Sequence, residues 1–378
     1  MPIQTSVPVA SAEDVLRADL AHLRAQLADE LRTLSGSRLL ITGGAGFLGY
    51  YLVQAITDWN ASAAPADRVH LTVWDNFARG APDWLRQLEG SAGLRVDRVD
   101  LIAPLPSGVE PFDWVIHAAG IASPRVYRMY PLETIDANIN GLRNLLEWGR
   151  RQAEAGRPLR GFLFYSSSEI YGDPTPDAIP TPESYRGLVS CTGPRACYDE
   201  SKRFGETLAT IYARYHGLPV TIARPFNNYG PGLKITDGRV IPDFAHCLLE
   251  GRDIVMHSDG SPTRTFCYAA DAVAGYYKVL VRGRPGEPYN VGVETPEVSM
   301  RELAERLGVL GRELLGWRGR VVTAPSAEAD YLVDNPNRRS PVIAKARVEL
   351  GYAPGIGLDE GLRRSLLWYA GHRTAAAG

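Results

Sequence analysis

A tyrosine and a lysine four positions apart, Tyr198 and Lys202, are the residues whose types and spacing point most directly to chemistry. On a helix these positions share one face. A free phenol, with a pKa of about 10, is a poor base at neutral pH. A fixed ammonium beside it is expected to lower that pKa. The pair could then take a proton from a sugar hydroxyl while a nicotinamide accepts the hydride.

The Tyr-x-x-x-Lys spacing alone more often marks an ordinary helix surface, so its meaning depends on a dinucleotide site elsewhere. Gly43, Gly46 and Gly49 predict one, because they follow an apolar strand at 38–42 with Gly-x-x-Gly-x-x-Gly spacing. The first glycine permits a tight turn and the second lets the backbone approach a pyrophosphate. The third lets the following helix pack close to the strand.

Three further strand ends carry residues suited to the rest of a dinucleotide. A second strand, 69–74, is followed by Asp75, about where the acceptor for a ribose diol belongs. An acid there favours NAD over NADP, and a solvated loop aspartate is the alternative. A third strand ends at Asp100, which could reach the adenine edge. A fourth, 114–117, opens into the small residues 118–120, which let a cofactor lie against the backbone.

The elements that position these residues alternate between strands and helices. A fifth strand, 161–165, ends in hydroxyl and carboxylate side chains that include Ser167 and Glu169, and a sixth spans 218–224. Open α/β sheets bind ligands at the carboxyl ends of their strands. The sequence therefore predicts an α/β protein with a Rossmann-type, doubly wound parallel sheet.

The pattern also predicts how the chain divides. We expect an N-terminal extension at 1–37 and an NAD-binding domain at 38–227, to which 263–284 returns. Residues 228–262 and 285–378 are expected to form mainly a smaller, discontinuous substrate-binding lobe. Arginines of this lobe could clamp a diphosphate bidentately, with exposed loop arginines as the alternative.

In the extension, Ser11 is a candidate N-cap for one amphipathic helix that ends near Gly36. Leucines recur along one face of it, and the opposite face is charged. We expect this helix to pack on the body of the protein, with a short coiled-coil contact as the alternative. The charged residues assigned to the outer face are Arg17, Asp19, Arg24, Asp29 and Arg32.

The 378-residue composition narrows the class of protein. A formal net charge of -2 argues against a nucleic-acid partner. We found neither an apolar run long enough to cross a bilayer nor a secretory signal, so no membrane partner is expected. The four cysteines lack metal-ligand spacing, which favours buried thiols in a reducing cytoplasm.

Taken together, residues 38–370 resemble the extended short-chain dehydrogenase/reductase superfamily of nucleotide-sugar enzymes. Within it, the chain looks most like the UDP-glucuronate decarboxylases. The segments that carry this closer likeness are 75–77 (Asp-Asn-Phe), 122–124 (Ala-Ser-Pro), 168–174 (Ser-Glu-Ile-Tyr-Gly-Asp-Pro), 193–200 (Gly-Pro-Arg-Ala-Cys-Tyr-Asp-Glu) and 237–240 (Asp-Gly-Arg-Val).

With this resemblance the site can be assigned residue by residue. The resemblance places the hydroxyl that holds the reacting oxygen on Ser167, and the decarboxylase glutamate on Glu169. The catalytic set is then Tyr198, Lys202, Ser167 and Glu169, with no metal. The predicted NAD-binding set is Gly43, Gly46, Phe47, Leu48, Gly49, Asp75, Asn76, Phe77, Asp100, Leu101, Ala118, Ala119, Gly120, Asn138, Tyr198, Lys202 and Arg224. The predicted substrate-binding set is Ser123, Pro124, Arg125, Ser168, Glu169, Asn227, Asn228, Arg239, Val240 and Arg264.

The resemblance implies NAD-dependent decarboxylation of UDP-glucuronate to UDP-xylose, or release of UDP-4-keto-pentose. Glu169 is expected to reprotonate C5, directly or through water, or to order the groups that do. A 4,6-dehydratase is the main alternative, although Ser168 replaces the usual acidic residue of that family. A 4-epimerase, or a nucleotide-sensing regulator on the same fold, are the others.

The chain departs from the decarboxylase pattern in two places. Asp136 and Ala137 replace a lysine and a threonine that many decarboxylases carry near the sugar, and the loop 102–112 is also unlike theirs.

The superfamily usually forms dimers through two helices, one of which carries the Tyr/Lys pair. An apolar row on the helix at 199–215 could face such a partner or its own sheet. Its members are Phe204, Leu208, Ile211 and Tyr215.

Overall fold

A computed structural model describes residues 9–106, 108–326 and 333–372. The helices are α1 (Ala12–Gln26), α2 (Ala28–Leu34), α3 (Gly49–Ser62), α4 (Asp83–Gln87), α5 (Pro124–Met129), α6 (Pro131–Glu154), α7 (Ala196–His216), α8 (Val240–Leu249), α9 (Ala269–Arg282), α10 (Met300–Leu315), α11 (Ala344–Leu350) and α12 (Leu358–Gly371). The strands are β1 (Arg38–Thr42), β2 (His70–Asp75), β3 (Leu94–Arg98), β4 (Trp114–His117), β5 (Gly161–Tyr165), β6 (Val220–Pro225), β7 (Asn228–Tyr229), β8 (Ile254–Met256), β9 (Thr263–Arg264), β10 (Cys267–Tyr268), β11 (Pro288–Val291), β12 (Val298–Ser299), β13 (Val321–Thr323) and β14 (Arg338–Arg339).

A seven-stranded parallel sheet forms the centre of the molecule, in the order β11-β6-β5-β4-β1-β2-β3. The chain moves outward from β1 to β3, returns to β4 on the other side of β1, and continues outward. The reversal at β1 and β4 opens a crevice at their carboxyl ends, where doubly wound sheets bind ligands. The predicted fold class is therefore confirmed.

The seventh strand corrects the predicted division of the chain. β11, which the sequence placed in the substrate-binding lobe, pairs with β6 as an edge strand of the central sheet. The strands that belong to small separate sheets are β7 with β10, β8 with β13, and β9 with β12 and β14. The rest of the division into domains stays a prediction.

The N-terminal extension forms two helices rather than the predicted single one, with a break at Leu27. Ser11 caps α1 by accepting a hydrogen bond from the Asp14 amide. Asp19, which the sequence placed on the outer face, is completely buried and accepts a hydrogen bond from Tyr268 Oη at 2.6 Å. Its other partners are Tyr51 on α3 and Arg364 on α12. The extension is thus joined to the body of the protein by buried polar contacts.

Helix α7 presents two different faces. Gly205, Ala209 and Tyr212 are buried towards the protein interior, where Gly205 lies against the Phe164 ring of β5. The predicted apolar row does not face the sheet as a whole, because Phe204, Ile211 and Tyr215 in it are exposed and only Leu208 packs partly on the core. Among the helices of the described residues, none has the length and apolar character needed to cross a bilayer.

Candidate active site

The predicted catalytic pair lies on the first two turns of α7 and faces a cleft of about 910 Å³. Tyr198 and Lys202 are both buried. Lys202 Nζ donates a hydrogen bond to the carbonyl oxygen of Tyr165, at the end of β5, at 2.9 Å, and lies 5.8 Å from the centre of the Tyr198 ring. The Tyr198 ring stacks on the Tyr127 ring, with 5.1 Å between the ring centres. The Ser167 hydroxyl is close enough to lower the pKa of the phenol.

The electrostatics of the pair differ from the prediction. Burial raises the pKa of Tyr198 to about 12, against a smaller lowering effect of the Ser167 hydrogen bond. Burial also lowers the pKa of Lys202 to about 7. Neither shift favours the phenolate form of Tyr198 in this structure, and the role predicted for Lys202 stays a prediction. An ammonium removed from water loses hydration, and one carbonyl oxygen replaces only part of it.

The burial of Lys202 predicts how the stability of the protein depends on pH. The pKa of Lys202 is lower in the folded protein than its value of 10.5 in the unfolded chain. Between about pH 7 and 10.5 the unfolded chain therefore binds more of this proton, and the contribution of Lys202 to stability rises with pH. Lys202→Met removes the charge in both states. We expect the variant to be inactive yet to unfold at a higher temperature at pH 7, with the difference shrinking towards pH 10. A thermal unfolding series of both proteins from pH 6 to 10 measures this.

The glycine-rich loop provides a wall against which a dinucleotide fits. Gly43 has φ +71°, and a Cβ there would come within 2.6 Å of the Ala119 Cα atom. A Cβ on Gly49 would come within 2.8 Å of the Gly44 Cα atom, so the first turn of α3 can close on the loop only through glycine. Asp75 lines the same cleft and accepts hydrogen bonds from the amides of Ala45 and Phe77. These residues fit NAD.

Glu169 lies at the sugar end of the cleft between two guanidinium groups, those of Arg195 and Arg339. Burial alone would raise its pKa, but the two cations outweigh burial and lower that pKa to about 2. Glu169 is therefore a fixed carboxylate and has no proton to donate near neutral pH. The lowered pKa favours the other role predicted for Glu169, which is to order the groups that reprotonate C5, and both roles stay predictions.

Sequence reasoning missed both partners of Glu169. Arg195 lies within the segment 193–200, immediately before α7, and its position there carries no signal for a contact with Glu169. Arg339 comes from β14, which pairs with β9 so that Arg339 lies beside Arg264. No local spacing could have predicted this contact, because it joins residues far apart in the chain.

Arg264 is a buried guanidinium without a carboxylate partner. It donates hydrogen bonds to the carbonyl oxygens of Thr263 at 2.8 Å and Asn337 at 3.1 Å. Among the described residues, no carboxylate lies within ion-pair distance of it. Burial, and then the neighbouring Arg339, lower its pKa to about 9. Arg264 also donates to Asn335 Oδ1 at 3.3 Å and to the Pro336 carbonyl oxygen at 2.5 Å, and it lines the cleft.

The structure brings most of the predicted residues together. Those that line the cleft are Gly43, Gly46, Phe47, Leu48, Gly49, Asp75, Asn76, Asp100, Leu101, Ala118, Ala119, Gly120, Ser123, Pro124, Ser167, Ser168, Glu169, Tyr198, Lys202, Asn227, Asn228, Arg239, Val240 and Arg264. Those that it places outside the lining are Phe77, Arg125, Asn138 and Arg224.

The four outlying residues have other contacts. Arg224 is buried in a bidentate ion pair with Glu206 and donates to Tyr171 Oη at 2.7 Å, which holds β6 in place. The ring of Phe77 packs beneath the guanidinium of Arg98. Arg125 is exposed.

Asn138 lies just behind the cleft lining. Its Nδ2 atom donates to Ser201 Oγ at 2.9 Å, and its buried Oδ1 atom has no hydrogen-bond partner among the described residues. A Cβ added to Gly120 would collide with that oxygen. Of the two departures in α6, Asp136 is exposed and accepts a hydrogen bond from Asn140, whereas Ala137 lines the cleft. Only Ala137 therefore changes the surface that meets a ligand.

The fold and site define a Rossmann-type enzyme of the short-chain dehydrogenase class, with a Tyr/Lys pair facing a dinucleotide cleft. The chain belongs to the NAD dependent epimerase/dehydratase family, whose model matches residues 39–292. The NAD cofactor predicted from the glycines and Asp75 agrees with this membership.

The chain is also similar to individual proteins over most of its length. The chain is 38% identical to UDP-glucuronic acid decarboxylase 5 of Arabidopsis thaliana over 331 residues, which cover 87% of this chain and 88% of that protein. It is 34% identical to UDP-glucuronic acid decarboxylase 1 of Xenopus tropicalis, covering 88% of this chain and 72% of that one. Among solved structures, the dTDP-glucose 4,6-dehydratase DesIV of Streptomyces venezuelae, with NAD bound, has a TM-score of 0.73 at 27% identity. That match covers 89% of this chain and 98% of DesIV.

Proposed function

We propose that the protein catalyses the NAD-dependent decarboxylation of UDP-glucuronate. The observation that carries the proposal is the charge at the sugar end of the cleft, where Arg195, Arg264 and Arg339 lie around Glu169, and Asp199 lies 3.7 Å from Arg195. Three guanidiniums against these two carboxylates leave an excess of positive charge. That excess suits a substrate that brings both a diphosphate and a sugar carboxylate. The named relatives act on the same sugar acid.

The chain's own residues fit the first step. Ser167 holds the C4 oxygen, and Tyr198, in its phenolate form, takes the proton of the C4 hydroxyl. The hydrogen bond from Ser167 is the largest influence that favours the phenolate form of Tyr198. NAD⁺, when bound, supplies a ring that accepts the C4 hydride and returns it after carbon dioxide has left.

Decarboxylation follows from the position of the ketone. The oxidised C4 is β to the C6 carboxylate, so the electron pair of the C5–C6 bond passes to the ketone oxygen as CO2 leaves. Positive groups near that oxygen stabilise the developing charge. A proton from water then replaces the lost carboxyl group at C5. Glu169, as a fixed carboxylate, orders Arg195 and Arg339 around the sugar and does not itself deliver this proton.

A direct incubation tests the proposal. The purified protein is mixed with NAD⁺ and UDP-glucuronate, and the nucleotide sugars are identified by mass spectrometry. We expect loss of CO2 and formation of UDP-xylose, with any UDP-4-keto-pentose showing how much intermediate escapes. An unchanged sugar acid would overturn the proposal, and dehydration of UDP- or dTDP-glucose would identify a 4,6-dehydratase instead.

Arg264 allows a second test of the substrate class. Arg264→Met keeps an apolar stem but removes the buried charge, so we expect the Kd for UDP-glucuronate to rise by about 10- to 100-fold. Binding of NAD⁺ should not change. Arg301→Met is a suitable control, because Arg301 lies outside the cleft and its guanidinium donates to the Asp259 carbonyl oxygen. Calorimetric titrations of both variants, with sugar nucleotide and with NAD⁺, check the prediction.

We further propose that the protein acts as a homodimer in the cytoplasm. Both α6 and α7 carry exposed apolar side chains, with Leu132 on α6 72% exposed and Tyr215 on α7 80% exposed. A second copy that covered both helices would bury these side chains. All four cysteines are free, which agrees with a reducing compartment. Sedimentation of the wild type and of a Phe204→Glu/Tyr215→Glu variant tests the dimer, which the double change is expected to dissociate.

A further inference from the structure

Two loops meet across the cleft beside the cofactor-binding glycines. Arg79, in the loop after β2, lies with Nη1 3.1 Å from Oδ2 of Asp237, in the loop before α8. Lys234 Nζ donates to the Arg79 carbonyl oxygen at 2.9 Å. Both Arg79 and Asp237 line the cleft. Asp75, the predicted acceptor for the ribose diol, precedes Arg79 by four residues and lines the same cleft, so this ion pair lies beside the predicted NAD site.

The loop before α8 also packs on the glycine-rich loop. The guanidinium of Arg239 lies 6.0 Å from the centre of the Phe47 ring. At Gly232, a Cβ would come within 2.8 Å of the Tyr50 ring and 2.9 Å of the Phe47 carbonyl oxygen. The loop before α8 is therefore packed against both loops that would hold a dinucleotide.

In this ion pair the Asp237 side chain is buried and the Arg79 side chain is half exposed. Asp237 is buried, its Oδ1 lies 3.1 Å from Arg239 Nε, and its carbonyl oxygen accepts a hydrogen bond from Ser123 Oγ at 2.8 Å. The Arg79 side chain is 50% exposed. Arg79 can therefore swing into solvent while Asp237 keeps Arg239 as a partner and stays in place.

We propose that Arg79 and Asp237 form a strap that retains the dinucleotide in the cleft. The proposal rests on the proposed function in one respect. A reaction that removes a hydride and then returns it needs the same cofactor molecule for both steps, so escape of the reduced cofactor between them ends the cycle early. The ion pair slows that escape, because the cofactor can leave only when the two loops part.

The dissociation rate of NADH tests the strap without any nucleotide sugar, so this test can fail independently of the proposed decarboxylation. The enzyme is loaded with NADH and mixed with excess NAD⁺, and the change in nicotinamide fluorescence is followed. We expect Arg79→Ala to release NADH about 3- to 10-fold faster, as the loss of an ion pair worth about 1 kcal/mol predicts. Arg86→Ala is the matched control: Arg86 lies in the same segment and pairs only locally with Asp83.

Two further variants separate the ion pair from a direct contact between Arg79 and the cofactor. In an Asp237→Asn background, Arg79→Ala should add little to the release rate. Arg79→Lys, which keeps the charge, should restore most of the retention, and thermal unfolding confirms that each variant is folded. An unchanged rate in Arg79→Ala overturns the proposal, as does an equally large effect in the Asp237→Asn background. Release from Arg79→Lys as fast as from Arg79→Ala also overturns it.

Discussion

Tyr198→Phe is expected to lower turnover of UDP-glucuronate by about 10²- to 10⁴-fold, the range that a positioned acid–base group contributes. The phenylalanine ring keeps the stacking on Tyr127 at 5.1 Å and loses only the hydroxyl that contacts Ser167. The free energy of unfolding should therefore change by no more than about 1 kcal/mol. Product formation is measured by chromatography of the nucleotide sugars, and stability by denaturant unfolding.

Tyr212→Phe provides the matched control for that experiment. Tyr212 lies on the same helix, nearly four turns away, and its hydroxyl contacts Glu147 rather than the cleft. We expect this variant to keep full activity. If Tyr198→Phe turned over substrate as fast as Tyr212→Phe, the assignment of Tyr198 as the base would be wrong.

Glu169→Gln is expected to cost about 3–5 kcal/mol of unfolding free energy, because it leaves the buried guanidinium of Arg339 without its ion-pair partner and that of Arg195 with Asp199 alone. The pKa of Glu169 is lowered on folding, so its stabilisation is fully present above about pH 4.5 and is lost as the pH falls towards 2. The difference between wild type and variant should therefore shrink in acid. Denaturant unfolding from pH 7 down to pH 3 measures it.

Glu297→Gln is the control for the buried pair. Glu297 forms a bidentate pair with Arg338, the neighbour of Arg339 on β14, but the Arg338 side chain is 45% exposed. Removing that pair should cost no more than about 1 kcal/mol. Equal losses in the two variants would show that burial does not strengthen the Glu169 contacts.

The parts of the fold that were predictable from the sequence are local. β1, β4 and β5 are short apolar runs bounded by polar or glycine residues, and each has the predicted limits. The glycine spacing at 43, 46 and 49 reports a backbone requirement that the structure shows directly at Gly43. These signals do not depend on distant parts of the chain, so they can be recognised in one sequence.

The parts that were missed depend on tertiary contacts. Asp19 looks like a surface residue on its helix, but Tyr51, Tyr268 and Arg364 converge on it from three other elements. Arg224 lies at a strand end where ligands often bind, yet its guanidinium forms an ion pair with Glu206. The pKa values of Tyr198 and Lys202 depend on burial, which the four-residue spacing does not reveal.

The transfer of hydrogen at C4 tests the central claim most directly. UDP-glucuronate that carries deuterium at C4 is incubated with the protein and NAD⁺ in ordinary water, and the product is examined by mass spectrometry and NMR. A sugar alcohol that is oxidised and then reduced by the same bound cofactor should yield UDP-xylose with the deuterium still on C4 and a solvent hydrogen on C5. A decarboxylated product that had exchanged its C4 deuterium for solvent hydrogen, or no decarboxylated product, would contradict the account.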